Sequence, residues 1–231
     1  MDVVLINTLN VNGEASMNRY LLTFYKKDNM RFISHLDLQR LFQRAIKRGN
    51  VKVAYSNGFN PHELMNIVQP LSLGFESVGE LVEIDTEIPY EPKKLMDALN
   101  LALPEGIKFI DCIETERKNK DTTCPTKYAE YSLTFEDETV ISKLKINEFI
   151  NEDQIIIQKR DKKTKKYVDK NVKDMVQKLY LEGNKLIMLV SCASNKTLNP
   201  SNLIASLIQF SGIECPSEYI RITRTKLVKD E

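Results

Sequence analysis

The sequence lacks the spacings on which most metal and redox sites are built. Its four cysteines, Cys112, Cys124, Cys192 and Cys215, stand far apart, with no C-x-x-C and no paired Cys/His spacing for zinc or an iron–sulfur cluster. The two histidines, His35 and His62, form no H-x-H or H-x-x-x-H pair, so no metal site is expected. There is no G-x-G-x-x-G and no Walker loop, which removes support for nucleotide cofactors of those kinds, and no cofactor is assigned. The aromatic signature of the RNA-recognition motif is missing too. No apolar run approaches the roughly 18 residues of a membrane span, and residues 1–16 lack the charged start and long apolar core of a secretory signal. A reduced, cytoplasmic protein with no membrane insertion is the expectation. Nor is there an excess of one charge: 33 basic residues face 32 acidic ones, which excludes a uniformly basic nucleic-acid coat.

What the chain has instead is charge in blocks. Residues 31–62 hold six cations (Arg31, Arg40, Arg44, Lys47, Arg48 and Lys52) against the single acid Asp37. The next thirty residues, 63–92, carry seven acids and no Lys or Arg, so the first half of the chain is electrically polarised. A second basic run, 159–178, sets nine Lys and Arg against three Asp. Its core, KRDKKTKKYVDKNVK, reads first as a solvated connection; as a binding element it can track a nucleic-acid backbone, with Tyr167 available for stacking.

With 231 residues, 42% of them apolar, the chain is long enough for two small cored domains. Alternation in RYLLTFY (19–25) puts Tyr20, Leu22 and Phe24 on one face of a strand. A helix follows: Ser34 is its cap, Asp37 completes a capping-box-like pair, Leu38, Leu41, Phe42, Ala45 and Ile46 form an apolar stripe, and Gly49 ends it. VKVAYS (51–56), ELVEID (80–85) and IKFIDCI (107–113) read as strands, and PKKLMDALNLAL (92–103) as a helix. The order β-α-β-β-α-β is that of the split βαβ, ferredoxin-like motif. Residues 117–127, polar and containing Pro125, read as a linker. The pattern then restarts: strands at 131–136 and 154–159, a helix over 138–150, a hairpin from VQKLYLE through Gly183-Asn184 to KLIMLVSC, a helix from Asn199 or Ser201 to Phe210, and a last strand at 219–227. KLIMLVSC is apolar on both faces, which predicts cover on both sides. The expected fold is therefore α+β, two ferredoxin-like halves packed together: a leader or extra strand at 1–16, a first domain at 17–116 that carries the site, and a second at 128–231 with an inserted hairpin.

The candidate site lies in the first domain. Arg40, Arg44 and Arg48 recur at i, i+4 and i+8, with Lys47 beside them, opposite the apolar stripe; this is a solvated helix face or a phosphate-sized positive ridge. Arg31, Tyr55, Ser56, Phe59 and Asn60 come from strand ends and loops near the same helix. Arginine and aromatic rings beside amides are what holds a phosphate and stacks a base, so these residues are assigned to nucleic-acid binding. SNGFNPH is rich in turn formers, and a plain structural turn has no need of the aromatic Phe59. His35 and His62, with Asp37 and Ser56, are the candidate general acid/base set, since a carboxylate can orient an imidazole; capping or packing is the plainer role for a histidine at a helix start.

The string RF-x-SHLDLQR-x-FQRA, then AYSNGFNPH and PLSLGFES, resembles the radical-SAM-linked family of uncharacterised bacterial proteins, found fused to or encoded beside radical S-adenosylmethionine enzymes. The resemblance runs from about Met17 to Val228, with its specific motifs between Arg31 and Ser77. Glu63-Leu64 stands where that family usually continues with a proline and a basic residue. The resemblance implies a radical-SAM enzyme as partner. The chain itself has no C-x-x-x-C-x-x-C to hold the cluster of such an enzyme, so it is not the radical generator. The expected function is an accessory RNA-binding module presenting a structured tRNA or rRNA element to a radical-SAM enzyme. The alternatives are a stand-alone RNA-processing or RNA-modifying enzyme using His35 and His62, or a docking subunit that touches only protein.

Overall fold

A computed structural model describes residues 17–115, 126–161, 164–193 and 195–229. The leader at 1–16 and most of the linker at 117–127 lie outside these residues. The chain is mixed α+β and forms two compact units, one of residues 17–73 and 80–115, the other of Gly74–Gly79 and 126–229.

In the first unit, β1 (Asn18–Lys26), α1 (His35–Arg48), β2 (Met65–Ile67), β3 (Glu76–Thr86), α2 (Pro92–Asn100) and β4 (Ile107–Thr115) follow one another. The strands lie in the order β2-β3-β1-β4, with β2 antiparallel to β3 and β1 antiparallel to β4. Tyr20, Leu22 and Phe24 are fully buried, as the alternation predicts. They meet Leu38, Phe42 and Ile46 from α1 and Leu95 and Leu99 from α2, and Phe42 packs edge-on to Phe24 at 4.9 Å between ring centroids. The helix starts where expected: the Ser34 hydroxyl accepts from the Asp37 N–H and donates to the Asp37 carboxylate at 2.7 Å. It stops at Gly49, where a Cβ would stand 2.9 Å from the Ala98 carbonyl oxygen, so glycine lets the α2 backbone come close.

Residues 51–56, expected as a strand, form only isolated bridges, Val53 to Thr86 and Tyr55 to Glu63. The strand that pairs with β3 is the later β2. The apolar alternation of VKVAYS buries Val51, Val53 and Ala54 without a regular ladder, because the chain turns back at Ser56.

The second unit runs β5 (Thr126–Phe135), α3 (Thr139–Lys143), α4 (Ile146–Asn151), β6 (Ile156–Arg160), β7 (Tyr167–Asn171), β8 (Val176–Glu182), β9 (Lys185–Ala193), β10 (Lys196–Thr197), α5 (Pro200–Ser211) and β11 (Ile220–Lys229). Here β8-β9-β5-β11 is the strand order, all antiparallel, and Glu76 and Ser77 at the start of β3 pair in parallel with Thr223 and Arg224. Leu186, Ile187, Met188 and Val190 of β9 are buried, so both faces are covered as the two-sided apolar pattern predicts. The helix expected over 138–150 is broken in two, because Leu144 takes an extended conformation and ends α3. The lysine-rich segment is no loop: β6 and β7 form a separate two-stranded ribbon.

Candidate functional site: a polar cavity beside a cationic helix

The SNGFNPH loop is closed by its own ends. The Ser56 N–H donates to the His62 carbonyl at 2.9 Å and the Leu64 N–H to the Ala54 carbonyl at 2.8 Å. Inside that closure the Ser56 Oγ accepts from the His62 N–H at 3.1 Å and lies 2.8 Å from His62 Nδ1. If the hydroxyl donates to Nδ1, the neutral ring presents Nε2 as a donor; if Nδ1 donates to the hydroxyl, Nε2 is an acceptor. Gly58 has φ of +128°, a region that disfavours a side chain, and this bend carries Phe59 into full exposure at the tip.

Below the loop lies a cavity of about 320 Å³, lined by polar groups from the loop and from β1, β2 and β3. Its floor is an ion pair. Arg19 Nε donates to Asp85 Oδ1 at 2.7 Å and Arg19 Nη2 to Oδ2 at 3.0 Å, a two-point contact between buried groups. The hydrogen bond to Asp85, opposed by burial and helped by the charges of Asp85 and Glu83, holds the Arg19 pKa above its ordinary value. Glu83, two residues before Asp85 and on the same face of β3, accepts from the Asn66 side chain at 3.2 Å. Glu63 forms the wall toward α1: its carboxylate accepts from Gln43 at 3.2 Å and pairs with Lys47 at 3.3 Å. Tyr55, Ser56, Asn57, His62 and Asn66 complete the polar lining. Two carboxylates, Glu83 and Asp85, thus act on one guanidinium while Glu63 is held by Lys47 on the α1 side, and the lining favours a ligand edge that donates hydrogen bonds over an anion. Among the described residues no group of three or more His, Cys, Asp or Glu is arranged to hold a metal ion.

Of the residues assigned from sequence, Tyr55, Ser56 and His62 line this cavity. Arg31, His35, Asp37, Arg40, Arg44, Arg48, Phe59 and Asn60 do not. Arg40, Arg44, Lys47 and Arg48 are exposed on α1, where Arg40 pairs with Asp37 at 3.0 Å. Hydrogen bonds from Ser34 and then Arg40 hold the Asp37 carboxyl below the ordinary carboxylate range, so Asp37 serves the helix start and orients no histidine that the structure records. His35 is the first residue of α1, half-buried, and among the described residues its buried Nδ1 has no hydrogen-bond partner. Arg31 stacks over the exposed ring of Phe32 at 4.7 Å. Arg48 lines a different hollow, with Gly49, Leu101 and Pro104. Sequence reasoning missed Arg19, Asn57, Glu63, Asn66, Glu83 and Asp85. A signal existed for two of them: in VEID the acids alternate with Val82 and Ile84, which marks a strand with one charged face.

The family model described as "Uncharacterized protein conserved in bacteria (DUF2344)" matches residues 19–200. The chain belongs to this family. Its match takes in every cavity-lining residue except Met17. No curated protein matches this chain. Among solved structures, an unknown protein from Galdieria sulphuraria is 9% identical, with 94% of this chain and 100% of that one covered and a TM-score of 0.26. A protein described as a "putative glycine cleavage system transcriptional repressor" is 11% identical, with coverage of 93% and 99% and a TM-score of 0.27. Likeness at these scores carries no argument about function. Among the described residues no helix is long and apolar enough to cross a membrane.

Proposed function

We propose that this DUF2344 protein is an accessory RNA-binding module that presents a structured element of tRNA or rRNA to a radical-SAM enzyme. The observation that carries the RNA reading is Glu63, whose carboxylate touches Gln43 and Lys47 of α1 on one side and lines the cavity on the other. The cationic face of α1 therefore adjoins the cavity mouth. Phosphates held along Arg40, Arg44 and Lys47 leave one unstacked base within reach of the cavity, while Phe59 and the Arg31–Phe32 stack offer rings for its neighbours. Glu83 and Asp85 accept from exocyclic amino groups, as carboxylates do from cytosine N4, whereas uracil turns carbonyl oxygens toward them. Adenine, cytosine and guanine are thus favoured over uracil. The radical-SAM partner rests on the resemblance of the SHLDLQR and YSNGFNPH motifs. We read both units as ferredoxin-like on their strand order, second-third-first-fourth in the first unit and the same in the second once the two-residue β10 and the separate β6–β7 ribbon are set aside.

The test is retention of total cellular RNA at several salt concentrations, with poly(A), poly(C) and poly(U) as competitors. Binding should weaken with salt, and poly(U) should compete least. Arg40→Ala with Arg44→Ala should flatten the salt slope by about 1–2 units, since each phosphate contact contributes about 0.7–0.9. Salt-independent retention, or none, defeats the reading. Capture of a radical-SAM enzyme without any RNA binding favours the protein-docking alternative.

A second reading has its own observation, the 2.8 Å contact between Ser56 Oγ and His62 Nδ1 on the cavity wall. It makes the chain an RNA-modifying or RNA-processing enzyme with His62 as acid or base. In that case His62→Ala keeps RNA binding and abolishes turnover in the absence of any partner enzyme.

A further inference from the structure

In the second unit, β6 and β7 pair in the register Ile156–Asn171, Ile157–Lys170, Gln158–Asp169, Lys159–Val168 and Arg160–Tyr167, and the Asp161 N–H to Lys166 carbonyl bond at 2.8 Å extends it by one pair. Directly opposed residues share a face of an antiparallel pair, and every second pair returns to the same face. One face is therefore made of Ile157–Lys170, Lys159–Val168 and Asp161–Lys166. Each row holds one lysine, and successive rows are about 7 Å apart.

The root of the ribbon is fastened and its length is bare. Ile155 and Ile157 are buried, the Val172 N–H donates to the Ile155 carbonyl at 2.8 Å, and Ser206 of α5 donates to the Ile156 carbonyl at 2.7 Å. Beyond Ile157, Lys159, Lys166, Tyr167 and Lys170 are all exposed. Lys159 and Lys166 have no salt-bridge partner among the described residues. Among the described residues the Lys170 ammonium hydrogen-bonds only the Met175 sulfur, at 3.8 Å, and Asp174, which feels its charge, is paired with Lys196 at 2.6 Å. The one acid on the face, Asp161, is occupied by the turn, where its Oδ1 accepts from the Thr164 N–H and hydroxyl. On the other face Tyr167 stands across from Arg160, an aromatic and a cation at the far end of the ribbon.

Lysines do guard exposed strand edges against pairing with another chain. That role sets no requirement on which face they occupy. Three lysines in three consecutive rows of one face, at the repeat with which phosphates succeed one another along a strand, match a nucleic-acid backbone in both charge and spacing. We propose that this ribbon is a second RNA contact, in which Lys170, Lys159 and Lys166 each hold one phosphate of a single strand. The proposal rests on the RNA reading above and assigns a contact that α1 and the cavity do not supply.

The test uses the full chain with Lys159, Lys166 and Lys170 all changed to Gln, bound to single-stranded poly(A) between about 0.1 and 1 M salt. At about 0.7 units per contact the slope should fall by about 2, and affinity at 0.1 M by about 100-fold, converging with the wild type near 1 M. The triple Lys→Arg chain should keep the wild-type slope, and an unchanged far-UV spectrum and melting temperature should accompany each variant. Tyr167→Ala, on the opposite face, should leave affinity and slope at the wild-type values; a loss there as large as that of the Gln variant overturns the assignment to the lysine face. A Gln variant with the wild-type slope overturns the ribbon contact and leaves the RNA reading standing. A wild-type chain that binds no RNA overturns both.

Discussion

Arg19 and Asp85 lie 66 residues apart and meet at 2.7 and 3.0 Å with almost no exposure of either side chain. Removing one partner of such a pair leaves a buried charge uncompensated, at a cost of about 3–5 kcal/mol. The two single changes are not equivalent. Asp85→Asn leaves the Arg19 guanidinium with Glu83 still nearby, so its loss should fall near 3 kcal/mol. Arg19→Met leaves Asp85 and Glu83 facing one another in the cavity without their cation and should lie near 5 kcal/mol. Arg19→Met combined with Asp85→Leu removes both charges and should recover most of the loss, since apolar replacement of a buried pair is often neutral or stabilising. Urea and thermal unfolding followed by far-UV circular dichroism measure all three, and the singles should lower the melting temperature by roughly 6–20 °C at 2–4 °C per kcal/mol. Singles that each cost less than about 1 kcal/mol, or a double change worse than both, would refute a buried, mutually dependent pair.

Ser34→Ala removes the cap of α1 and should cost about 1 kcal/mol in the same assay. It should also let the Asp37 carboxyl titrate closer to its ordinary value by NMR, because the Ser34 hydrogen bond is the main cause of its depression. The sign follows: the Asp37 contribution to stability is present above the ordinary carboxylate pKa and fades as pH falls through the lowered native value. Gly49→Ala sets a Cβ 2.9 Å from the Ala98 backbone oxygen and should destabilise by about 1–3 kcal/mol; a neutral result would mean that α1 and α2 can separate freely. Burial and then Asp111 push the Cys112 thiol up to about 12, so thiolate-directed alkylation at pH 8 should spare Cys112 until the chain is unfolded, as peptide mapping would record.

Local signals carried far. The cap at Ser34, the stripe from Leu38 to Ile46 and the stop at Gly49 place α1 to the residue, because a helix start and its buried face depend on neighbours three and four positions away. Alternation places β1, and the two-sided apolar run places β9. Where the reading failed, the deciding contact was distant. Residues 51–56 have the alternation of a strand, yet the partner of β3 is the three-residue β2, too short to carry a pattern of its own. Of the ribbon, the strand expected at 154–159 is β6, but β7 was hidden because a charged, exposed strand carries no apolar period; pairing reveals it, along with the alignment of the lysines.

By itself the sequence determined β1, α1 and β9, their amphipathic or two-sided apolar faces and the turn-forming character of the SNGFNPH loop, all of which follow from interactions within a few residues. The tertiary structure alone decided that His62 and Ser56 share a cavity with Arg19, Glu83 and Asp85 while His35 lies outside its lining. It also turned Glu63, first of a long acidic tract, toward the cations of α1. Those meetings depend on strand register and on loop closure between residues far apart in the chain. A one-residue slip of β3 would carry Glu83 and Asp85 to the opposite face, and no local pattern states which register is taken.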